Sequence, residues 1–111
     1  MTLPLDGIRV VDLTHAYAGP LCTYNLALLG ADVVKVEPPG TGDDFRVWFE
    51  NAFVAINAGK RSLTLDLRSD AGREVLERLL GTADVLVENF RPGVAAKLGV
   101  DAGELRAGTR G

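Results

Sequence analysis

Four short runs rich in β-branched and apolar residues, separated by stretches of helical periodicity, constrain this chain more than any other feature. Residues 8–13 contain Ile8, Val10, Val11 and Leu13 and read as a buried strand. Residues 32–37 form a second such run, ended by Pro38-Pro39-Gly40, through which no central strand continues. Residues 62–67 alternate as a third strand and residues 84–88 form a fourth. Pro20 suits the first position of a helix over residues 21–29, with Gly30 just past its end. That segment is apolar on most faces, which predicts a largely buried helix and a core position for Cys22.

Residues 46–58 carry weaker helical signals around Phe45, Trp48, Phe49 and Phe53; Trp48, Phe49 and Phe53 are most simply read as core or interface packing, the alternative being an adenine platform. Ser69 is placed to cap a helix whose stripe is Val75, Leu76, Leu79 and Leu80, closed by Gly81. Pro92 opens a short helix ending at Gly99, and Asp101 is placed to cap another.

The order βαβ(α)βαβα predicts a Rossmann-like open parallel α/β sheet with flanking helices and right-handed crossovers. Ligands of such sheets sit outside the carboxyl ends of the strands. Three segments fall there: residues 14–19, 38–44 and 89–91.

Composition narrows what that rim could serve. A formal net charge of −3 leaves no strongly basic footprint for nucleic acid. One cysteine excludes a disulfide framework and a four-cysteine zinc site. No stretch reaches the roughly 18 apolar residues of a membrane span, and the N-terminus lacks the pattern of a signal peptide. The expected setting is therefore cytoplasmic, with Cys22 reduced. Glycine is in excess, at 13 of 111 residues, which calls for tight turns and close backbone approach.

Small residues Ala16, Ala18 and Gly19 precede Pro20, so the first loop reads either as an anion site at a helix N-terminus or as a tightly packed turn. Glu37 ends the second strand where a ribose-binding acid would sit, but the first turn has no G-x-G-x-x-G, and Gly40-Thr41-Gly42 does not complete one. Lys60, Arg61, Arg68, Arg91 and Lys97 lie near element ends, and read as phosphate ligands or as solvated surface charge. His15 has no partner identifiable in sequence and reads first as a structural loop residue.

Several motifs in fixed order carry a resemblance. Residues 4–15 (Pro4-Leu5-Asp6-Gly7 leading to Asp12-Leu13-Thr14-His15), Ala18-Gly19-Pro20-Leu21-Cys22 and the run from Leu28 to Glu37 are three of them. Gly40-Thr41-Gly42-Asp43, Gly59-Lys60-Arg61-Ser62, Leu65-Asp66-Leu67 and Glu88-Asn89-Phe90-Arg91-Pro92-Gly93 continue the series. Together they resemble the N-terminal part of class III (CaiB/BaiF-type) CoA-transferases, over roughly residues 3–105.

The resemblance implies that residues 1–111 are the N-terminal portion of the family's CoA-binding α/β domain. It implies coenzyme A and acyl-CoA as substrates, a carboxylic acid as acceptor, no metal, and an interlocked homodimer. In the family an aspartate carboxylate attacks the thioester and carries CoA as an aspartyl-CoA intermediate. By position, Tyr17 and Ala18 match the loop beside the thioester and pantetheine arm. Leu65, Asp66, Leu67 and Arg68 match the segment lining adenine and ribose. Asn89, Phe90 and Arg91 match the loop at the pyrophosphate and pantetheine, and Lys97 stands at a phosphate contact.

Departures are also visible. Members of the family carry a glutamine at the position of Tyr17 and an arginine at that of Pro38. No aspartate here matches the nucleophile, which the resemblance places downstream, and residues 107–111 leave the family pattern. The expectation is a chain cut within the family fold, inactive alone. The alternatives are a relative of α-methylacyl-CoA racemase, which tends to carry glycine at the position of Asn89, a stand-alone CoA- or nucleotide-binding module, and a Rossmann oxidoreductase fragment.

Overall fold

The computed structural model describes residues 2–100 and residue 103. The proposed cap at Asp101 lies outside the described residues. The elements run β1 (Arg9–Asp12), α1 (Ala18–Leu28), β2 (Asp32–Glu37), α2 (Phe45–Trp48), α3 (Glu50–Ile56), β3 (Arg61–Thr64), α4 (Asp70–Leu80), β4 (Val85–Val87) and α5 (Val94–Lys97). The strands form one sheet in the order β3-β2-β1-β4. Every pairing is parallel, with Val10 opposite Val33 and Val85, and Val34 opposite Arg61. The alternating strand and helix patterns therefore give the α/β sheet they predicted.

Alternation of side chains gives the sheet two unlike faces. On one, Val11, Leu13 and Val36 pack with Leu65, Leu76 and Val100 under α4 and α5. On the other, Val10, Val33 and Ala31 pack with Leu26 and Ala27 of α1. Continuing that second face toward the carboxyl ends brings Asp12, Lys35 and Glu37, all buried. It begins apolar and ends charged.

Boundaries shift by small amounts, for local reasons. β2 spans the expected residues. β3 starts one residue early and leaves the sheet after Thr64. α1 starts at Ala18, so Pro20 is its third residue rather than its first. Any first-turn position leaves the missing proline N–H without cost, because those amides have no intrahelical acceptor. Ser69 caps α4, its hydroxyl accepting a 3.0 Å hydrogen bond from the Gly72 amide.

One packing expectation, the burial of α1 and Cys22, is corrected. Only Pro20 and Thr23 of α1 are buried, while Cys22, Leu28 and Leu29 face outward. A helix that is apolar all round always leaves an apolar side uncovered where only one face meets the sheet. Phe53 is buried, but Trp48 is 65% exposed and Phe49 57% exposed. α2 is a single turn followed at once by α3, and none of its residues is buried.

Gly72 tests how tightly α4 seats. Alanine normally stabilises a helix interior by about 0.5–1 kcal/mol over glycine. A Cβ at Gly72 would instead collide with the Asp66 backbone carbonyl. Overpacking costs about 1–3 kcal/mol, so Gly72→Ala is expected to lower stability by about 1–2 kcal/mol in urea denaturation.

Candidate functional site at the carboxyl edge

α1 and α3 lie on one face of the sheet and α4 and α5 on the other, so the chain reverses direction between β1 and β4. The loops leaving these two strands diverge and open a crevice, the general ligand position in such sheets. A cleft of about 180 Å³ occupies this edge, lined by Leu13, His15, Val36, Leu65, Arg68 and Phe90 among others. Its walls are largely apolar, with Asp66 and Arg68 at the polar margin. The His15 and Phe90 rings face each other at 6.2 Å between centroids.

The sequence-predicted residues divide around this cleft. Leu65, Asp66, Leu67, Arg68 and Phe90 line it. Asn89 and Arg91 lie on the same β4 loop but outside the lining, exposed. Lys97 is exposed on α5, beside the lining residue Leu98. Tyr17 and Ala18 sit at the start of α1, with the Tyr17 ring 6.5 Å from that of Phe45.

The basic residues also divide. Lys60 is buried and committed: its ammonium donates to Asp12 Oδ2 (3.0 Å), Pro20 O (3.0 Å) and Asn57 Oδ1 (2.7 Å). Arg61 binds Asp32 at the amino end of the sheet, opposite the cleft. Neither gathers phosphate at this rim. Arg68 is 84% exposed and only loosely paired with Asp66 at 3.4 Å. Arg91 and Lys97 are exposed at the same end.

The charged half of the second face is an ionic network that individual motifs did not reveal. Asp12 accepts from the Thr14 amide (2.8 Å), the Thr14 hydroxyl, the Thr23 hydroxyl (2.7 Å) and Lys60. Lys35 donates to the Thr14 carbonyl and lies 2.9 Å from Asp43 Oδ2. Asp43 Oδ1 accepts from the Ala16 and Phe45 amides, each at 3.0 Å. Glu37 takes a two-point contact from Arg46 (2.7 and 2.8 Å) and the Asp43 amide at 2.8 Å. Arg46 also lies 4.2 Å from the centre of the Phe53 ring.

The network shapes the first loop. Thr14 is held from both sides and Ala16 is held by Asp43, in a left-handed conformation at φ 70° that non-glycine residues seldom adopt. The amide at Ala16, just ahead of α1, thus already has an internal carboxylate. Glu37, placed for a ribose hydroxyl in a dinucleotide site, is instead closed by Arg46. Lys35 and Glu37, two residues apart in an apolar strand and on the same face as Asp12, were the signal available in the sequence.

Burial pushes the Asp12 carboxyl up, but hydrogen bonds from Thr14 and Thr23 and the Lys60 charge outweigh it and hold it below its ordinary value. Burial likewise opposes, and Arg46 and the Asp43 amide overcome, the shift at Glu37. At Asp43 burial is outweighed by Lys35 and two backbone amides. Burial lowers Lys60, with Asp12 opposing.

Comparison with known proteins gives a consistent set of likenesses. Residues 5–110 match the sequence pattern of the family described as CoA-transferase family III. Formyl-CoA:oxalate CoA-transferase of Rhodopseudomonas palustris (strain TIE-1) is 50% identical, over 89% of this chain and 25% of that relative. Rv3272 from Mycobacterium tuberculosis superposes with a TM-score of 0.88 at 44% identity, over 95% of this chain and 30% of that one. A CAIB/BAIF family protein from Brucella suis superposes with a TM-score of 0.90 at 44% identity, over 96% of this chain and 31% of that one. The chain thus spans 25% of the length of the curated relatives it matches.

Two outcomes are expected of the network. Lys60→Met leaves Asp12 buried without its cation and should cost about 3–5 kcal/mol in denaturant unfolding. The second is a pH dependence. Asp12, Glu37 and Asp43 have folded pKa values below their ordinary 3.8, 4.5 and 3.8. The unfolded chain therefore binds more protons, and stability rises with pH across that range. Their contribution is complete above the ordinary values and lost as pH falls through the depressed ones. Unfolding free energy should drop steeply below about pH 5 in wild type, and less steeply in Asp43→Asn.

Proposed function

The chain belongs to CoA-transferase family III, and from that premise we propose that it forms part of the coenzyme A site of an acyl-CoA:carboxylate CoA-transferase. The observation that carries this reading is the meeting of two segments in one cleft. The 65–68 turn and Phe90, which sequence resemblance assigns to the nucleotide and pyrophosphate portions of CoA, face each other there. Apolar walls from Leu13, Val36, Leu65 and Phe90 suit an adenine ring, and Arg68 at the margin suits a phosphate. Arg91 on the same loop, with Lys97 on α5, extends the polar rim along the pyrophosphate and pantetheine. Tyr17 and Ala18, across the crevice, lie toward the thioester end.

In the proposed reaction a carboxylate oxygen attacks the thioester carbonyl carbon. The C–S bond breaks, CoA leaves as a thiolate, and a mixed anhydride forms. The thiolate then attacks the enzyme's own acyl carbon, giving an enzyme-bound CoA thioester and releasing the first acid. A second carboxylate takes CoA by the same two steps in reverse. The buried carboxylates of this chain are poor candidates for the nucleophile. Asp12 and Glu37 are each held by hydrogen bonds and a cation, and Asp43 by two backbone amides on one oxygen and the Lys35 ammonium beside the other. This supports a nucleophile outside residues 1–111, an N-terminal CoA-binding role for these residues, and completion of the site within the family's interlocked homodimer.

Closure of Glu37 by Arg46 also speaks against a nicotinamide dinucleotide, whose ribose needs that acid free. Calorimetric titration with CoA and with NAD separates the two readings. Binding of CoA without NAD is expected, and NAD binding without CoA would sink the proposal. Arg68 is solvent-exposed, so its phosphate contact is screened. Arg68→Ala is expected to weaken CoA binding by about fivefold, with the difference shrinking at high salt.

A further inference from the structure

We propose that Asn89 is a positioning residue whose side-chain amide clasps the β1 and β4 loops together. The β1–β4 ladder ends at Asp12 opposite Val87, with one further bond from the Leu13 amide to the Val87 carbonyl at 2.9 Å. Beyond it the two chains diverge, one toward α1 and the other toward α5. Backbone can no longer pair with backbone there. Asn89 Oδ1 accepts from the His15 amide at 3.0 Å, and Asn89 Nδ2 donates to the His15 carbonyl at 3.0 Å. One side-chain amide thus supplies both bonds to a single residue, which two successive peptide groups would supply in a longer parallel ladder.

A second observation concerns Gly19. A Cβ there would lie 2.5 Å from Thr14 Cβ and 2.9 Å from Asn89 Nδ2. The first turn of α1 is therefore seated directly on the clasp. One residue, outside the cleft lining, fixes the separation of the loop bearing Tyr17 and Ala18 from the loop bearing Phe90 and Arg91. The consequence for ligand binding rests on the CoA reading above; the clasp itself does not.

The test compares wild type, Asn89→Ala and Asn89→Asp. Its first readout is protection of the His15 amide from hydrogen exchange, by NMR, without ligand. Asn89 is exposed, and amide dispersion elsewhere verifies that each variant folds. Asn89→Ala is expected to reduce His15 protection by about tenfold. In Asn89→Asp the ionised carboxylate accepts from the His15 amide but cannot donate to its carbonyl, whereas the protonated acid does both. At pH 7 Asn89→Asp should therefore lie between wild type and Asn89→Ala, keeping the bond from the His15 amide and losing the one to its carbonyl. Unchanged protection in Asn89→Ala, or protection in Asn89→Asp no greater than in Asn89→Ala, overturns the clasp.

The second readout is CoA affinity. Loss of affinity in both variants at neutral pH is expected. Loss in Asn89→Ala with His15 protection intact would make Asn89 a direct ligand contact and overturn the proposal. If wild type binds no CoA while the exchange results stand, the functional reading fails and the clasp survives.

Discussion

The carboxylate of Asp12, fully buried at the end of the first strand, is the interaction on which the rest of this edge depends. Desolvating a charge costs several kcal/mol even after relaxation, and only complete pairing offsets it. Asp12 has that pairing: two threonine hydroxyls, one backbone amide and an ammonium. Its partners come from separate places in the chain, so satisfying one carboxylate fixes the first loop, α1 and the segment leading into β3. By contrast, the exposed pair between Arg61 and Asp32 has good geometry but is worth no more than about 1 kcal/mol. Against a total stability of about 5–15 kcal/mol, the buried network matters and the surface pair does not.

The two faces of the sheet divide their roles accordingly. Beyond the Arg9, Asp32 and Arg61 pairs at its amino end, the face under α4 and α5 is apolar, and where it runs past the strand ends its side chains become the walls of the cleft. Leu13, Val36 and Leu65 belong both to the core and to that cleft. The opposite face turns ionic toward the same edge and fixes where the loops stand. Binding surface and positioning machinery thus alternate along β1 and β2 and meet at Glu37, which belongs to the network and also lines the cleft.

How much of this was legible in the sequence follows from which signals are local. The succession of elements and their parallel pairing needed only periodicity and crossover rules, so β2 and the parallel sheet could be read directly. The cap at Ser69 is a contact over three residues and was equally readable. Exposure was not. Cys22, Leu28, Trp48 and Phe49 are apolar by type, but which side of a helix meets the sheet is decided by tertiary packing. Lys60 illustrates the same limit: sequence places a lysine near a strand, and only the fold brings it 3.0 Å from Asp12, 48 residues away. The candidate cleft was legible as three segments at one edge. The split of its basic residues between the rim and the interior was not.

Gly42 shows what such a network does to the chain's freedom to vary. It sits at φ 69°, and a Cβ there would strike the Glu37 carboxylate while crowding Arg46. Any side chain at that position requires the Glu37 carboxylate to shift from its place between Arg46 and the Asp43 amide. Yet removing Glu37 alone orphans the Asp43 amide and strips Arg46 of its partner. These three sites therefore form a single unit of inheritance. Drift at one is blocked until the others have already changed, so the loop after β2 moves between distinct solutions rather than wandering among neighbouring ones.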